Sequence, residues 1–209
     1  GENLLEVNLR ASTDAADAAQ TVAKYAFAHR QQEWITGRGW NQELWSDRAF
    51  PTATDLDNVV SDRPVFLTRV DGHAAWVNTK AMELAGITKD TKSPVGGEII
   101  KDANGNPTGV FIDNASLLIE EHLPKASNAI YEQQLNAAGE HLLANGITSM
   151  HDAGVGRDVY DFYLKEAVEA DLPVRIYAMV SATDPELSTM LGNGPIRDED
   201  DFLYIRSVK

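Results

Sequence analysis

The stretch "RPVFLTRVDGHAAWVNTKAMELAGI" (63–87) decides the fold class of this 209-residue chain. Its first part, "RPVFLTRV", is a nearly continuous apolar run, which is typical of a strand buried on both faces of a sheet. Beyond Asp71 and His73, apolar residues recur at helical spacing over 74–84. The pattern predicts a strand, a turn and a helix, with Asp71 as the helix N-cap and His73 in the first helical turn.

The same alternation continues along the chain. Helices are predicted over 12–29, 131–146 and 159–170, and strands at about 34–37, 65–70, 147–151, 174–180 and 203–208. The segment 96–115 differs, because two β-prone runs flank Asn104–Pro107, which indicates an inserted β-hairpin. We therefore expect an α/β fold with mostly parallel strands, either doubly wound or part of a TIM (β/α)8-type barrel, and a hairpin projecting outside the sheet.

Composition excludes several classes of function. The net charge is −14, with 32 acidic and 18 basic residues, so the surface repels phosphate backbones and nucleic acid is not an expected partner. No apolar run approaches the roughly 20 residues that span a bilayer, so no membrane association is expected. The chain has no cysteine, which excludes disulfides and thiolate nucleophiles but leaves the cellular compartment open.

Polar and aromatic residues follow several predicted strands at their carboxyl ends, where α/β folds place their ligand sites. They are Arg38 and Trp40, Asp71 and His73, His151 and Asp152, and Lys209. Singly, each has a simpler explanation: Asp71 caps a helix, His151 is a hydrogen-bonded core residue, and Trp40 fills the core. Their coincidence at one predicted edge favours the rim of an active site. A helix N-terminus would keep His73 neutral and able to donate to a carbonyl oxygen.

Local catalytic motifs do not identify the chemistry. The sequence has no His-x-His, His-Glu-x-x-His or carboxylate-rich calcium loop, no Gly-x-Gly-x-x-Gly or P-loop, and no Gly-x-Ser-x-Gly elbow. The residues alone therefore indicate only an α/β chain with a polar rim.

Four stretches together resemble the metal-dependent amidohydrolases, specifically amidohydrolase family 3, which includes the N-substituted formamide deformylases. They are "WITGRGWNQELW" (34–45), "RPVFLTRVDGHAAWVNTKAMELAGI" (63–87), "GGEIIKDANGNPTGVFIDNA" (96–115) and "GITSMHDAG" (146–154). The resemblance covers nearly the whole chain and keeps the order and spacing of the family.

The resemblance implies that 1–209 is the central part of an amidohydrolase catalytic barrel, with the hairpin inserted at about 96–115. The family has a one- or two-metal site that activates water for attack on a carbonyl carbon. Its His-x-His pair would lie before Gly1, and further ligands would lie after Lys209. Lys209 matches the lysine expected at the metal, commonly as a carbamate. We expect a divalent metal, zinc, in the full-length enzyme, and neither tight metal binding nor activity in this segment alone.

The implied function is hydrolysis of carbon–nitrogen bonds other than peptide bonds, in small amides or N-substituted formamides. His73 and His151 match positions on the substrate side, where they would polarise the carbonyl, with Asp71 and Asp152 orienting them. Residues expected to bind substrate are Asp71, Trp76, Arg38, Trp40 and Asp152. Two alternatives stay open: a non-catalytic ligand-binding domain, and an isomerase or lyase on the same barrel. Unpaired strand edges would favour association, which allows a homo-oligomer.

Overall fold

The structure is a computed structural model that describes residues 4–209, and these residues form two compact units. The first unit is Glu6–Lys125, and the second is Ala126–Lys209 together with Leu4 and Leu5. Each unit has its own sheet and its own apolar core. Within residues 4–209, no helix combines the length and the apolar character that a membrane span requires.

The first unit contains a six-stranded mixed sheet. Its strands are β1 (Val7–Asn8), β2 (Ile35–Trp40), β3 (Val65–Arg69), β4 (Ala74–Val77), β5 (Gly97–Lys101) and β6 (Pro107–Asp113). Its helices are α1 (Ala15–Ala28), α2 (Ala53–Asp57), α3 (Thr79–Leu84) and α4 (Leu117–Glu120), with a short 3-10 helix at Gln42–Leu44. The strand order is β1-β2-β3-β4-β6-β5, in which β1, β2 and β3 are parallel and the remaining pairs are antiparallel.

Two sequence predictions for this unit are wrong. Residues 74–77 form strand β4 and not the start of a helix, so only Thr79–Leu84 is helical. The cause is the Asp71-Gly72 pair: Gly72 has a φ of 80°, which a hairpin turn requires and glycine adopts without strain. The hairpin at 97–113 exists, but β6 pairs with β4, so the hairpin extends the sheet and does not project outside it.

The second unit contains a four-stranded sheet that agrees closely with the sequence prediction. Its helices are α5 (Asn128–Ala144), α6 (Arg157–Glu169) and α7 (Leu187–Gly192), and its strands are β7 (Ser149–Val155), β8 (Arg175–Val180), β9 (Ile196–Arg197) and β10 (Leu203–Val208). The order is β7-β8-β10-β9, with β7, β8 and β10 parallel and only β9 antiparallel. Across residues 4–209 neither sheet closes into a barrel.

Candidate functional site

The three parallel strands of the second unit end together, and Lys209 follows directly. Val155, Val180 and Val208 are in register across β7, β8 and β10. The Lys209 N–H donates to the Val180 carbonyl at 2.9 Å, and the Lys209 carbonyl accepts from the Ala182 N–H at 2.8 Å. These two bonds fix the Lys209 backbone at the carboxyl edge of the sheet, while its side chain is exposed.

His151 lies on the sheet face that the helices leave open. In β8, Ile176, Ala178 and Val180 are buried, whereas Tyr177 between them is only half-buried. His151 is the register partner of Tyr177, and the two rings meet edge to face with centroids 5.3 Å apart. His151 is exposed, so the alternative of a buried core histidine is wrong.

The side chain of Asp152 makes different contacts from that of His151. Successive strand residues point to opposite faces, and the Asp152 carboxylate meets helix α6, where the Tyr163 hydroxyl donates to Asp152 Oδ2 at 2.7 Å. Burial of Tyr163, followed by the nearby Asp152 charge, raises the pKa of the tyrosine. The expectation that Asp152 orients His151 is therefore not what the structure shows, because Asp152 is bonded to Tyr163.

A cavity of about 530 Å³ lies beside β7, which is an edge strand of this sheet. Its walls are formed by α5, β7 and α6, and they include Tyr131, Leu135, Met150, His151, Asp152 and Phe162. The walls combine apolar and aromatic side chains with the Gln134 amide, the His151 imidazole and the Asp152 carboxylate. Such a cavity suits a small molecule that has both apolar and polar groups.

In the first unit, Asp71 organises the turn between β3 and β4. Arg69 donates to both carboxylate oxygens of Asp71, at 3.0 and 2.8 Å, and the backbone N–H of His73 donates to Asp71 Oδ1 at 3.0 Å. The Arg69 hydrogen bonds lower the pKa of Asp71. Asp71 is thus an acceptor within a hairpin turn, and the prediction that it caps a helix is wrong because no helix begins there.

The imidazole of His73 is held by a residue that the sequence reasoning missed. His73 Nδ1 lies 2.8 Å from Asp113 Oδ1, and the Asp113 N–H donates to the His73 carbonyl at 2.9 Å. Asp113 stands 40 positions away at the end of β6, and only the antiparallel pairing of β4 with β6 brings it here. His73 is not at a helix N-terminus, so the predicted effect of a helix dipole on its charge is absent.

The two tryptophans predicted to bind substrate are core residues. Trp40 and Trp76 are fully buried, with ring centroids 6.2 Å apart in an edge-to-face contact. Their indole N–H groups donate to the Leu67 and Thr52 carbonyls, each at 2.8 Å. Neither ring has surface left for a substrate in this structure. Arg38 lies half-buried in β2, opposite Thr68 of β3.

The predicted site residues fall into two sets. Arg38, Trp40, Asp71, His73 and Trp76 belong to the first unit, and His151, Asp152 and Lys209 belong to the second. Among residues 4–209, no group of three or more histidine, aspartate or glutamate side chains could hold a metal ion. The described residues therefore do not fit a complete metal site, and the metal role of Lys209 stays a prediction.

Comparisons with known proteins give the family. The amidohydrolase family model matches residues 1–205. The chain is 34% identical over 188 residues to YtcJ of Bacillus subtilis (strain 168), covering 86% of this chain and 35% of YtcJ. It is 30% identical over 148 residues to the N-substituted formamide deformylase of Arthrobacter pascens, covering 68% of this chain and 27% of the deformylase.

A solved structure agrees with the fold. The crystal structure of an uncharacterized metal-dependent hydrolase from Pyrococcus horikoshii OT3 superposes with a TM-score of 0.71 at 24% identity, covering 99% of this chain and 39% of that one. The chain thus spans between about a quarter and two-fifths of the length of these relatives. With a family model matched over nearly its whole length, the chain belongs to amidohydrolase family 3.

Proposed function

We propose that this chain forms the central part of the catalytic barrel of a metal-dependent hydrolase that cleaves carbon–nitrogen bonds other than peptide bonds. Family membership and similarity to an N-substituted formamide deformylase support this proposal. Small amides or N-substituted formamides are the proposed substrates. Zinc is the proposed metal, and most of its ligands would come from parts of the protein other than residues 4–209.

The observation that carries the proposal is the position of Lys209. It follows three parallel strands whose last residues are in register, and catalytic groups of such sheets lie at this edge. A lysine amine that adds carbon dioxide and releases a proton becomes a carbamate, whose oxygens can ligate a divalent cation. An exposed amine at a strand end, fixed through its backbone, has the access that this modification requires.

His73 and His151 are the residues of this chain that we propose to interact with substrate. Both imidazoles are exposed, so their ring nitrogens are open to a bound substrate. Trp40 and Trp76 would support the first unit through packing, since their rings are fully buried. Among the remaining predicted binding residues, Arg38 would act from β2 and Asp71 through the turn that carries His73. Asp152 would act through its hydrogen bond from Tyr163.

The test is a Lys209→Ala variant of the full-length protein, with zinc content and amide turnover measured on the same preparation. We expect the variant to lose bound zinc and turnover together, because a metal ligand is removed. Arg206→Ala is the matched control, since it removes an exposed cation from the same strand. Full zinc content and normal turnover in Lys209→Ala would contradict the proposal.

The rival function, a non-catalytic ligand-binding domain, has the cavity beside β7 in its favour. The same preparation separates the two functions. A binding domain would take up a small molecule without releasing an amine, whatever its zinc content.

A further inference from the structure

The pair formed by His73 and Asp113 determines which nitrogen of the imidazole carries the proton. The Asp113 carboxylate lies 2.8 Å from His73 Nδ1. An ionised carboxylate only accepts hydrogen bonds, so Nδ1 must be the donor. In the neutral ring, Nε2 is then left without a proton and presents a lone pair.

We infer that Asp113 is a positioning residue that holds neutral His73 in the Nδ1–H tautomer, so that Nε2 accepts a hydrogen bond or a proton during catalysis. A neutral ring in this tautomer cannot donate from Nε2 to a developing oxyanion. The structure thus replaces the donor role expected from the sequence with an acceptor role. The donor to Nε2 would be an O–H or N–H group, from water or from the amide nitrogen of the substrate.

The backbone of Asp113 also fixes its position beside His73. Asp113 has a φ of 46°, in the left-handed region that favours glycine. Aspartate is one of the few residues other than glycine that adopts this conformation readily, and unlike glycine it has a carboxylate to hold the ring. Here the Asp113 N–H also bonds the His73 carbonyl at 2.9 Å, so the two residues are joined at both backbone and side chain.

The charged groups of the adjacent turn do not compete for the ring. Asp71 accepts from the His73 backbone N–H, and its carboxylate is otherwise engaged by Arg69. About 70% of the His73 side chain is exposed, so Nε2 is open to a substrate or to water. An exposed pair of this kind adds little to folding stability, and variants of Asp113 should therefore fold.

The tautomer can be observed directly by NMR in full-length protein labelled with ¹⁵N-histidine. At alkaline pH, where imidazole is neutral, we expect the His73 signals to show a protonated Nδ1 and a bare Nε2. Asp113→Ala should shift His73 toward the Nε2–H tautomer. Glu98→Ala is the matched control, since it removes an exposed carboxylate from β5, the strand beside β6, and it should leave the tautomer unchanged. A wild-type His73 protonated at Nε2 would overturn the inference.

The effect of Asp113 on catalysis rests on the proposed function, and a separate experiment tests it. Asp113→Ala should lower kcat on a formamide by about 10- to 100-fold, the usual cost of removing the group that orients a histidine. Asp113→Asn should recover part of this loss, because its amide oxygen still accepts from Nδ1–H. Normal kcat in Asp113→Ala, with measurable wild-type turnover, would overturn the positioning role. No turnover in the wild type, with the expected tautomer, would instead count against the proposed function.

Two substrates identify the donor to Nε2. If the substrate N–H is the donor, His73→Ala should impair turnover of an N-monosubstituted formamide much more than that of an N,N-disubstituted one. If water is the donor, both substrates should be impaired alike. Unimpaired turnover of both substrates would overturn the acceptor role.

Discussion

Each unit carries one of the two exposed histidines that we propose to interact with substrate, and the structure holds the two rings in different ways. His73 lies in a hairpin turn of a mixed sheet, with a carboxylate on its Nδ1. His151 lies within strand β7, which pairs in parallel with β8, and its ring meets the Tyr177 ring edge to face. A carboxylate fixes the tautomer of an imidazole, whereas an aromatic contact restricts only the position of the ring. The structure therefore defines the tautomer of His73 but not that of His151, although the two residues have the same predicted role.

The largest expected difference between the units is catalytic. In the full-length enzyme, His73→Ala should lower kcat by about 10² to 10⁴-fold, the usual contribution of a group that accepts a proton. His151→Ala, measured on the same amide, should have the smaller effect, because within residues 4–209 no hydrogen bond defines the tautomer of His151. Metal content measured alongside excludes indirect loss of the ion. A larger loss in His151→Ala would reverse the comparison.

The next effect concerns the stability of the first unit, which depends on the buried Asn78. Its Oδ1 accepts from the Val65 and Ala81 N–H groups at 2.9 and 3.0 Å. Its Nδ2 donates to the Val60 and Arg63 carbonyls, each at 2.9 Å. Asn78→Leu leaves these four backbone groups without their partner and should lower the free energy of unfolding by about 3 kcal/mol.

Chemical denaturation monitored by tryptophan fluorescence would measure this loss, because Trp40 and Trp76 lie in the core of the same unit. The exposed Asn58 provides the control, and Asn58→Ala should cost less than about 1 kcal/mol. Equal losses in the two variants would show that Asn78 does not organise this region.

In the second unit, Tyr163 predicts sensitivity to alkaline pH. Its folded-state pKa is raised above the ordinary value of 10.0, chiefly by burial. Above that value the unfolded chain releases the tyrosine proton first, so stability falls as pH rises. Tyr163→Phe should cost about 1 to 3 kcal/mol at neutral pH and should reduce the alkaline loss. Thermal melts at pH 7 and above pH 10 would measure both effects, and an unchanged alkaline loss would contradict the assignment.

The smallest expected effect is a change in folding stability at low pH, and it comes from the exposed loop before β10. Hydrogen bonds from Arg197 and then Tyr204 lower the pKa of Asp201 to about 2. The contribution of ionised Asp201 to folding stability is therefore complete above its ordinary pKa of 3.8, and it is lost as the pH falls toward 2. Arg197→Gln should reduce the stability that is lost as the pH falls from 3.8 toward 2. Asp200→Asn, which changes the adjacent carboxylate, should leave this loss unchanged.

The second unit could be predicted from sequence because its information is local. Short segments each specify one element: Leu135 and the glycine after α5 specify a helix, and the runs "VRIYAMV" and "FLYIRSVK" specify strands. The alternation of helices and strands then predicts parallel strands. The placement of Lys209 at the strand edge followed from the same reasoning. The register that aligns Val155, Val180 and Val208 depends on pairing across the sheet and was not predictable.

The first unit was less predictable because its decisive contacts are long-range. The segment "AAWV" (74–77) fits helical spacing as well as a buried strand, and the Asp71-Gly72 pair was the local sign of a hairpin. No local sequence pattern predicts the pairing of β4 with β6, so the contact between Asp113 and His73 could not be predicted. The tryptophans were ambiguous for another reason: a buried indole and a substrate-binding indole need the same residue type.

The central claim, hydrolysis of a carbon–nitrogen bond, is tested most directly by product analysis. Full-length, zinc-replete protein should be incubated with an N-substituted formamide, and formate and amine should be quantified together. The account predicts equimolar formate and amine, loss of both on chelation, and recovery on adding zinc. Fully metallated protein that releases neither product from this or any simple amide would contradict it.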